Sequence, residues 1–386
     1  MKRFRLGCTQ ETLPAVGLGC MGFGGYYETI TSDDARAVDT LLFAFEIGYE
    51  FLDTAEIYGM GHSEELIGEA LRLFSGNRPF IATKVSPRNL SPVKLIQSVE
   101  ASLDRLGVEV IDLYQVHWPN PKVSFDESMG ALSRLAEQGK LRHIGLSNYS
   151  LKQLRETVDS LPRGTVATLQ TEYNISDRSA EAELLPYCKD QNITVIAYSP
   201  LDQGGICREP EHRARIQAVA DKYGCTIAQL TLCWLIKHGG VIVIPKSTLR
   251  DHLLQNLAAS DFRMTEGDIT LISRLTEPNL VDVAIERIRV TKDATGRQKV
   301  YTNLDEATLN IYNHTPSPVE LADEILKTGM PKRVKVCPTS DSSGRFDYDL
   351  VEGRSRYWAW VIAHNGKCDI PVLVLPQAGQ KLPIET

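Results

Sequence analysis

Phe51-Leu52-Asp53-Thr54-Ala55-Glu56-Ile57-Tyr58-Gly59 is the stretch on which the reading of this chain turns. The apolar run 49–52 stops on the carboxylate of Asp53, where a buried strand would end. Tyr58 follows on a short loop, and Gly59, Gly61 and His62 lead into a helical pattern. A carboxylate at a strand end with a phenol a few residues later makes a poor core. It makes a good rim, with a proton donor at the edge of a buried sheet.

Working outward, the same alternation of apolar strand, polar loop and amphipathic helix repeats on both sides. Strands are expected over 15–18, 49–53, 79–84, 110–117, 143–146, 165–170, 194–198 and 241–245. Helices are expected over 33–47, 63–73, 92–106, 124–138, 151–160, 180–188, 212–223, 227–238 and 250–258. Ser32 and Thr226 read as N-caps, and Ser91-Pro92 has the cap-then-proline order of a helix start. Eight alternations within about 260 residues predict an α/β fold of the (β/α)8 TIM-barrel type, whose usual size is about 250 residues. A helix over 266–275 is expected outside the barrel.

The composition then changes. Strands over 284–290, 333–336, 348–351 and 370–375, and helices over 304–312, 318–327 and 355–364, predict a second, small α+β domain of roughly 100 residues. The division expected is 1–278 for the barrel and 279–386 for the second domain. Neither an internal repeat nor a low-complexity tract is evident.

A length of 386 residues, 42% hydrophobic and 24% charged residues are those of a soluble globular chain of two domains. A net charge of -7 and a pI near 5.7 argue against a nucleic-acid backbone as the main partner. No apolar run approaches the ~20 residues of a membrane span. Met1-Lys2-Arg3-Phe4-Arg5 has no apolar core behind it, so no signal peptide is expected. The eight cysteines are scattered without a C-x-x-C pair, which suggests neither a zinc site nor a disulfide framework and fits a cytoplasmic setting.

The expected strand ends carry chemistry. They are Asp53, Lys84, His117, Ser147-Asn148, Gln170, Tyr198-Ser199 and Lys246-Ser247, and barrel enzymes keep their sites on that face. Taken singly each has a bland reading: Lys84 as a solvated strand end, His117 as a satisfied half-buried histidine. Taken together, Asp53, Tyr58, Lys84 and His117 supply a carboxylate, a phenol, an ammonium and an imidazole. A phenol near pKa 10 is a poor proton shuttle at neutral pH. A neighbouring ammonium is expected to lower that value, with the carboxylate fixing the ammonium. Tyr58 can then protonate a carbonyl oxygen that His117 orients. The missing ingredient is a hydride, which only a cofactor such as a nicotinamide supplies.

With these residues in view, the chain resembles the aldo-keto reductases over about residues 1–275. The matching stretches are Gly48-Tyr49-Glu50-Phe51-Leu52-Asp53-Thr54-Ala55 through Tyr58-Gly59, Ser63-Glu64-Glu65-Leu66-Ile67-Gly68-Glu69-Ala70-Leu71 and Thr83-Lys84. They continue in Asp112-Leu113-Tyr114-Gln115-Val116-His117-Trp118, Ile144-Gly145-Leu146-Ser147-Asn148, Gln170-Thr171-Glu172-Tyr173-Asn174 and Ala197-Tyr198-Ser199-Pro200-Leu201. The resemblance implies an NADP-dependent oxidoreductase acting on an aldehyde or ketone, with the family's tetrad on Asp53, Tyr58, Lys84 and His117. It implies that Ser147, Asn148 and Gln170 hold the carboxamide and that Tyr198 stacks on the nicotinamide, with Ser199, Pro200 and Leu201 beside it. The far end of the cofactor would lie on Lys246, Ser247, Thr248, His252, Gln255 and Asn256. Lys246, Ser247 and Thr248 suit a ribose 2′-phosphate and favour NADP over NAD. The family usually has arginine where His252 stands and glutamate where Gln255 stands, and Arg250 is the nearest replacement.

Gly17-Leu18-Gly19-Cys20-Met21-Gly22 also matches the dinucleotide fingerprint G-x-G-x-x-G, but no helix is expected before Ser32, so it reads as a βα loop. Phe23, Tyr26, Tyr27 and Trp118 are candidate pocket residues. The loop Asp202-Gln203-Gly204-Gly205-Ile206-Cys207 is short, leaving a pocket that is open or covered by something else.

In the second domain, Gly353-Arg354-Ser355-Arg356-Tyr357-Trp358-Ala359 follows a strand and opens a helix. It is similar to the G-E-R-R-x-x-A box of the ParB/sulfiredoxin-like fold, with Arg354 and Ser355 where Glu and Arg are expected and no cysteine. The resemblance implies a nucleotide or phosphate as candidate partner at Gly353-Arg354-Ser355-Arg356. A module that only packs on the barrel stays equally open. For the whole chain the readings are a carbonyl reductase, an NADP-binding regulatory protein with little turnover, or a bifunctional enzyme whose second domain uses a nucleotide.

Overall fold

A computed structural model of the chain describes residues 1–204, 210–276, 279–291, 301–330, 332–339 and 344–375. Eight parallel strands form one sheet in sequential order. They are β1 (Leu18–Gly19), β2 (Phe51–Asp53), β3 (Phe80–Val85), β4 (Ile111–Val116), β5 (Leu141–Ser147), β6 (Val166–Glu172), β7 (Thr194–Tyr198) and β8 (Ile242–Val243). The sheet closes where Val16 bridges Val243 and the N–H of Gly17 donates to the Val243 carbonyl at 2.9 Å. Phe51, Ala82, Leu113, Ala167, Ile196 and Ile242 meet inside the closed sheet. Side chains on a strand alternate faces with period two. The inward position after Phe51 is therefore Asp53, after Ala82 it is Lys84, and after Leu113 it is Gln115. The apolar layer fixes the polar layer above it. Outside, amphipathic helices cover the sheet with a continuous apolar core.

Most elements lie where the sequence pattern puts them, and the departures have local causes. Residues 1–14 form a hairpin, Arg3–Arg5 against Thr12–Pro14, and Leu6 and Leu13 plug the barrel floor. Strand β1 begins three residues later than expected. The first long helix, Asp34–Glu46, has Asp33 rather than Ser32 at its N-cap, without a side-chain cap bond. The helix expected over 180–188 is Leu184–Gln191, because Pro186 lacks an N–H and is tolerated only in a first turn. The helix expected over 227–238 ends at Trp234 and continues as a π turn, Leu235–Gly239. The G-x-G-x-x-G stretch runs into turns, with no helix before Asp34.

The remaining strands form a second sheet of five, ordered β9 (Asn279–Val283), β13 (Ile370–Val374), β11 (Val334–Pro338), β12 (Tyr348–Glu352) and β10 (Ile288–Arg289). The single strand expected over 284–290 does not form. The chain crosses there from one edge of the sheet to the other through a 3-10 turn, Ile285–Arg287. This sheet has its own apolar cluster, including Val334, Val336, Leu350, Tyr357 and Val372. Helices Pro318–Thr328 and Arg354–Ala363 pack together through Ala322, Ile325 and Ala359. Among the described residues no helix is long and apolar enough to cross a membrane, and no cluster of side chains is arranged to hold a metal ion.

Candidate active site

The polar layer above the barrel core converges on Asp53. Lys84, 0% exposed, donates to Asp53 Oδ1 at 2.6 Å and to the Thr54 carbonyl at 2.7 Å. The other oxygen of Asp53 accepts from Gln170 Nε2 at 2.6 Å and more loosely from Gln115 Nε2 at 3.4 Å. A buried ammonium is tolerable only when paired and hydrogen-bonded, and here both conditions hold. Lys84 Nζ also lies 3.5 Å from the Tyr58 hydroxyl.

Tyr58 opens a tight turn, Tyr58–Gly61, that returns the chain to the rim. Gly59 has φ +58°, and a Cβ there would sit 2.4 Å from the Gly24 carbonyl oxygen, so the turn requires glycine. The Tyr58 and His117 rings meet edge to face, centroids 5.7 Å apart at 82°. Burial, and then the Asp53 carboxylate, push the Tyr58 phenol well above its ordinary value. That corrects the expectation of a lowered value. Burial disfavours the charged phenolate, and the Asp53 carboxylate adds to that. Tyr58 therefore keeps its proton at neutral pH. Burial, and then Lys84, push His117 well below the usual histidine value, so its imidazole is neutral, and Nδ1 has no hydrogen-bond partner among the described residues.

The residues expected around a nicotinamide lie on the same rim. Asn148 donates to the His117 carbonyl and to Ser147 Oγ, both at 3.0 Å, and its Oδ1 accepts from the Tyr198 hydroxyl at 2.8 Å. The Tyr198 ring is thus tied to the chain segment that carries His117. Gln170 is brought to the site, but its amide nitrogen is spent on Asp53. Ser199, Pro200 and Leu201 turn directly away from β7, with the Ser199 carbonyl accepting from Asn174 Nδ2 at 3.2 Å. Lys246, Ser247 and Thr248 follow β8. Ser247 Oγ accepts the N–H of Leu249 at 3.1 Å, while Lys246 is exposed and 5.9 Å from the Phe23 ring centre. His252, Gln255 and Asn256 lie on helix Arg250–Ala258, with His252 exposed and Asn256 buried. Arg250 is committed elsewhere, to Asp39 at 2.9 Å and the face of Phe43. Phe23 is core rather than pocket, Tyr26 and Tyr27 are exposed, and Trp118 is half-buried. Residues Gly205, Ile206 and Cys207 of the short loop lie outside the described residues.

Sequence reasoning missed a second cluster at the same mouth. Glu172, at the end of β6 and paired in register with Tyr198, is reached by Lys335 on β11 of the second sheet and by Lys332 just before that strand. Lys335 Nζ lies 2.5 Å from Glu172, 3.3 Å from Glu352 and 3.6 Å from Asp177. Lys332 contacts Glu172, lies 3.0 Å from Glu352 and stands 5.6 Å from the centre of the Tyr198 ring. Gln153 donates to Glu324 at 2.9 Å, and Lys152 to the Lys327 carbonyl at 2.6 Å. One signal was available. Glu172 stands two residues after Gln170 and so shares its inward face.

The aldo/keto reductase family model matches residues 15–277. The methylglyoxal reductase YeaE of Escherichia coli is 35% identical over 265 residues, 68% of this chain and 91% of that protein. The NADH-specific methylglyoxal reductase of the same organism is 31% identical, over 72% of this chain and 99% of its own length. An aldo/keto reductase of Klebsiella pneumoniae, solved in complex with NADP and acetate, superposes with a TM-score of 0.64 at 32% identity, covering 70% of this chain and 94% of its own. The barrel, its rim and these relatives agree, and the chain belongs to the aldo/keto reductase family.

Proposed function

We propose that the chain is an NADP(H)-dependent oxidoreductase that reduces an aldehyde or ketone, with Tyr58 as the general acid. The observation that carries this reading is a buried phenol that keeps its proton, 3.5 Å from an ammonium clamped by a carboxylate. NADPH, when bound, supplies a hydride to the carbonyl carbon. Tyr58 gives its proton to the oxygen as negative charge develops there. Lys84 stabilises the phenolate left behind, and Asp53 holds Lys84 in place. His117, neutral, offers a hydrogen bond to the same oxygen.

Ser147, Asn148, Gln170 and Tyr198, with Ser199, Pro200 and Leu201, fit as the nicotinamide end of the cofactor site. Lys246, Ser247, Thr248, His252, Gln255 and Asn256 fit as the far end. In support of NADP over NAD, Lys246 has no carboxylate within ion-pair reach among the described residues. Although its side chain is exposed, partial desolvation and then the nearby Arg36 guanidinium lower its pKa. Two cations together without a carboxylate suit a 2′-phosphate. Methylglyoxal, the substrate named for two relatives, is the first carbonyl compound to try.

We read residues 1–278 as the reductase barrel and 279–386 as an appended unit similar to the ParB/sulfiredoxin-like fold. Support for that likeness is a helix that opens directly after Gly353 and carries Arg356 and Ala359. A role as pocket cover is favoured over a nucleotide site, because Arg354 is spent on the Thr291 carbonyl and Arg356 stands within the cluster at the barrel mouth.

Purified full-length chain should oxidise NADPH faster than NADH in the presence of methylglyoxal or other aldehydes. Tight NADPH binding with no turnover across the panel would replace the reductase reading with that of an NADP-binding regulatory protein.

A further inference from the structure

The mouth cluster holds three cations, Lys332, Lys335 and Arg356, and three carboxylates, Glu172, Asp177 and Glu352. The charges balance in number, but not in contact. Lys335 reaches all three carboxylates, and Lys332 reaches two. Among the described residues Arg356 has only Glu352, whose Oε1 lies 3.5 Å from Nη2 and already faces Lys332 at 3.0 Å. Arg356 is 8% exposed, and its Nη1 has no hydrogen-bond partner among the described residues. A buried guanidinium N–H without an acceptor costs free energy that a ligand with the matching oxygens would recover. Gly353 in front of it has φ +94°, a conformation that favours glycine, and a Cβ there would sit 2.9 Å from Nη2.

Arg356 is joined to the candidate active site by contacts alone. The His117 carbonyl accepts from Asn148, Asn148 accepts from Tyr198, Lys332 stands over the Tyr198 ring, and Lys332 and Arg356 share Glu352. The charge of Arg356 is also felt at the Tyr198 phenol, which burial and Glu352 raise and Arg356 draws back.

We infer that Arg356 is a specificity-determining residue of a composite substrate pocket, in which the barrel supplies the reducing site and the C-terminal unit an anion-recognising guanidinium, so that the preferred aldehydes and ketones carry a carboxylate or a phosphate. This rests on the reductase reading above. Arginine suits the task because its planar fork matches both anions, where a lysine would offer only a point charge.

The test uses full-length wild type, Arg356→Gln and Arg356→Lys, with melting curves to establish that each is folded. Three aldehydes are compared: succinic semialdehyde for the carboxylate, glyceraldehyde 3-phosphate for the phosphate and propionaldehyde as the uncharged reference. In wild type, kcat/KM should favour at least one anionic aldehyde. In Arg356→Gln the anionic-to-uncharged ratio of kcat/KM should fall at least about tenfold, mainly through KM, and Arg356→Lys should recover part of it. A wild type that favours propionaldehyde, or a variant that lowers all three alike, overturns the inference while leaving the reductase reading standing. Calorimetry with succinate in the presence of NADP reads the same site without turnover. Binding that weakens in Arg356→Gln supports the inference. No binding by wild type, or binding of ATP in place of succinate through Arg356, contradicts it.

Discussion

Lys84 and the pair Lys332 and Lys335 are lysines paired with carboxylates at the mouth of one barrel, yet their surroundings differ in kind. Lys84 has one carboxylate, and both oxygens of that carboxylate are hydrogen-bonded within the barrel. Asp53 and the two glutamines that hold it stand on strands, and strand pairing fixes their geometry. Lys332 and Lys335 share carboxylates from two separate sheets, and Arg356 beside them has an N–H left over. A closed, satisfied cluster suits chemistry that needs one phenol held in one place. A cluster with an unsatisfied donor, built across two packed units, suits recognition of something that comes and goes.

The comparison can be broken by removing one member at a time. Lys84→Met should have the largest effect on stability. It leaves Asp53 buried without its cation and should cost about 3–5 kcal/mol in denaturant melts, together with loss of reductase activity. A loss below ~1 kcal/mol would mean that the barrel tolerates an unpaired Asp53. Glu172→Gln should cost less, on the order of 1–3 kcal/mol, because Lys335 retains Asp177 and Glu352. Tryptophan fluorescence, with Trp358 and Trp360 in the second unit and Trp118 and Trp234 in the barrel, should show an early transition in that unit. A single unchanged transition would remove the cluster from the interface energetics.

The smallest expected effect concerns His117 and pH. Its folded-state pKa lies below the unfolded value near 6.5, so the unfolded chain binds more protons just below pH 6.5. The stability it contributes is fully present above pH 6.5 and is lost as pH falls through that window toward the folded value. His117→Gln should flatten this part of the acid limb of stability. An unchanged limb would show that His117 titrates alike in both states.

Most of the closed cluster was legible in the sequence because Asp53, Lys84 and Gln170 each end an apolar run, whereas Gln115 lies inside one. Asp53, Lys84 and Gln170 could be placed from strand periodicity, and Tyr58 from the turn that follows. The second cluster was not legible. Lys332 and Lys335 stand far along the chain from Glu172, and no local pattern marks a lysine that will cross to another sheet. The Tyr58 phenol was misjudged in direction for a related reason. A sequence names its neighbours but not the depth of its burial, and at this site burial outweighs the ammonium. The hairpin at residues 1–14 escaped because its strands are three residues each, too short for an alternating pattern.

The central claim is that the buried, protonated phenol of Tyr58 is the acid in carbonyl reduction. The most direct measurement is single-turnover oxidation of bound NADPH by an aldehyde, in wild type and in Tyr58→Phe, with NADPH affinity measured separately by fluorescence. We expect equal affinity for NADPH and a turnover step slowed by about 10²–10⁴-fold in the variant. Equal affinity with an unchanged rate would contradict the claim and move the proton donor to another group at the mouth.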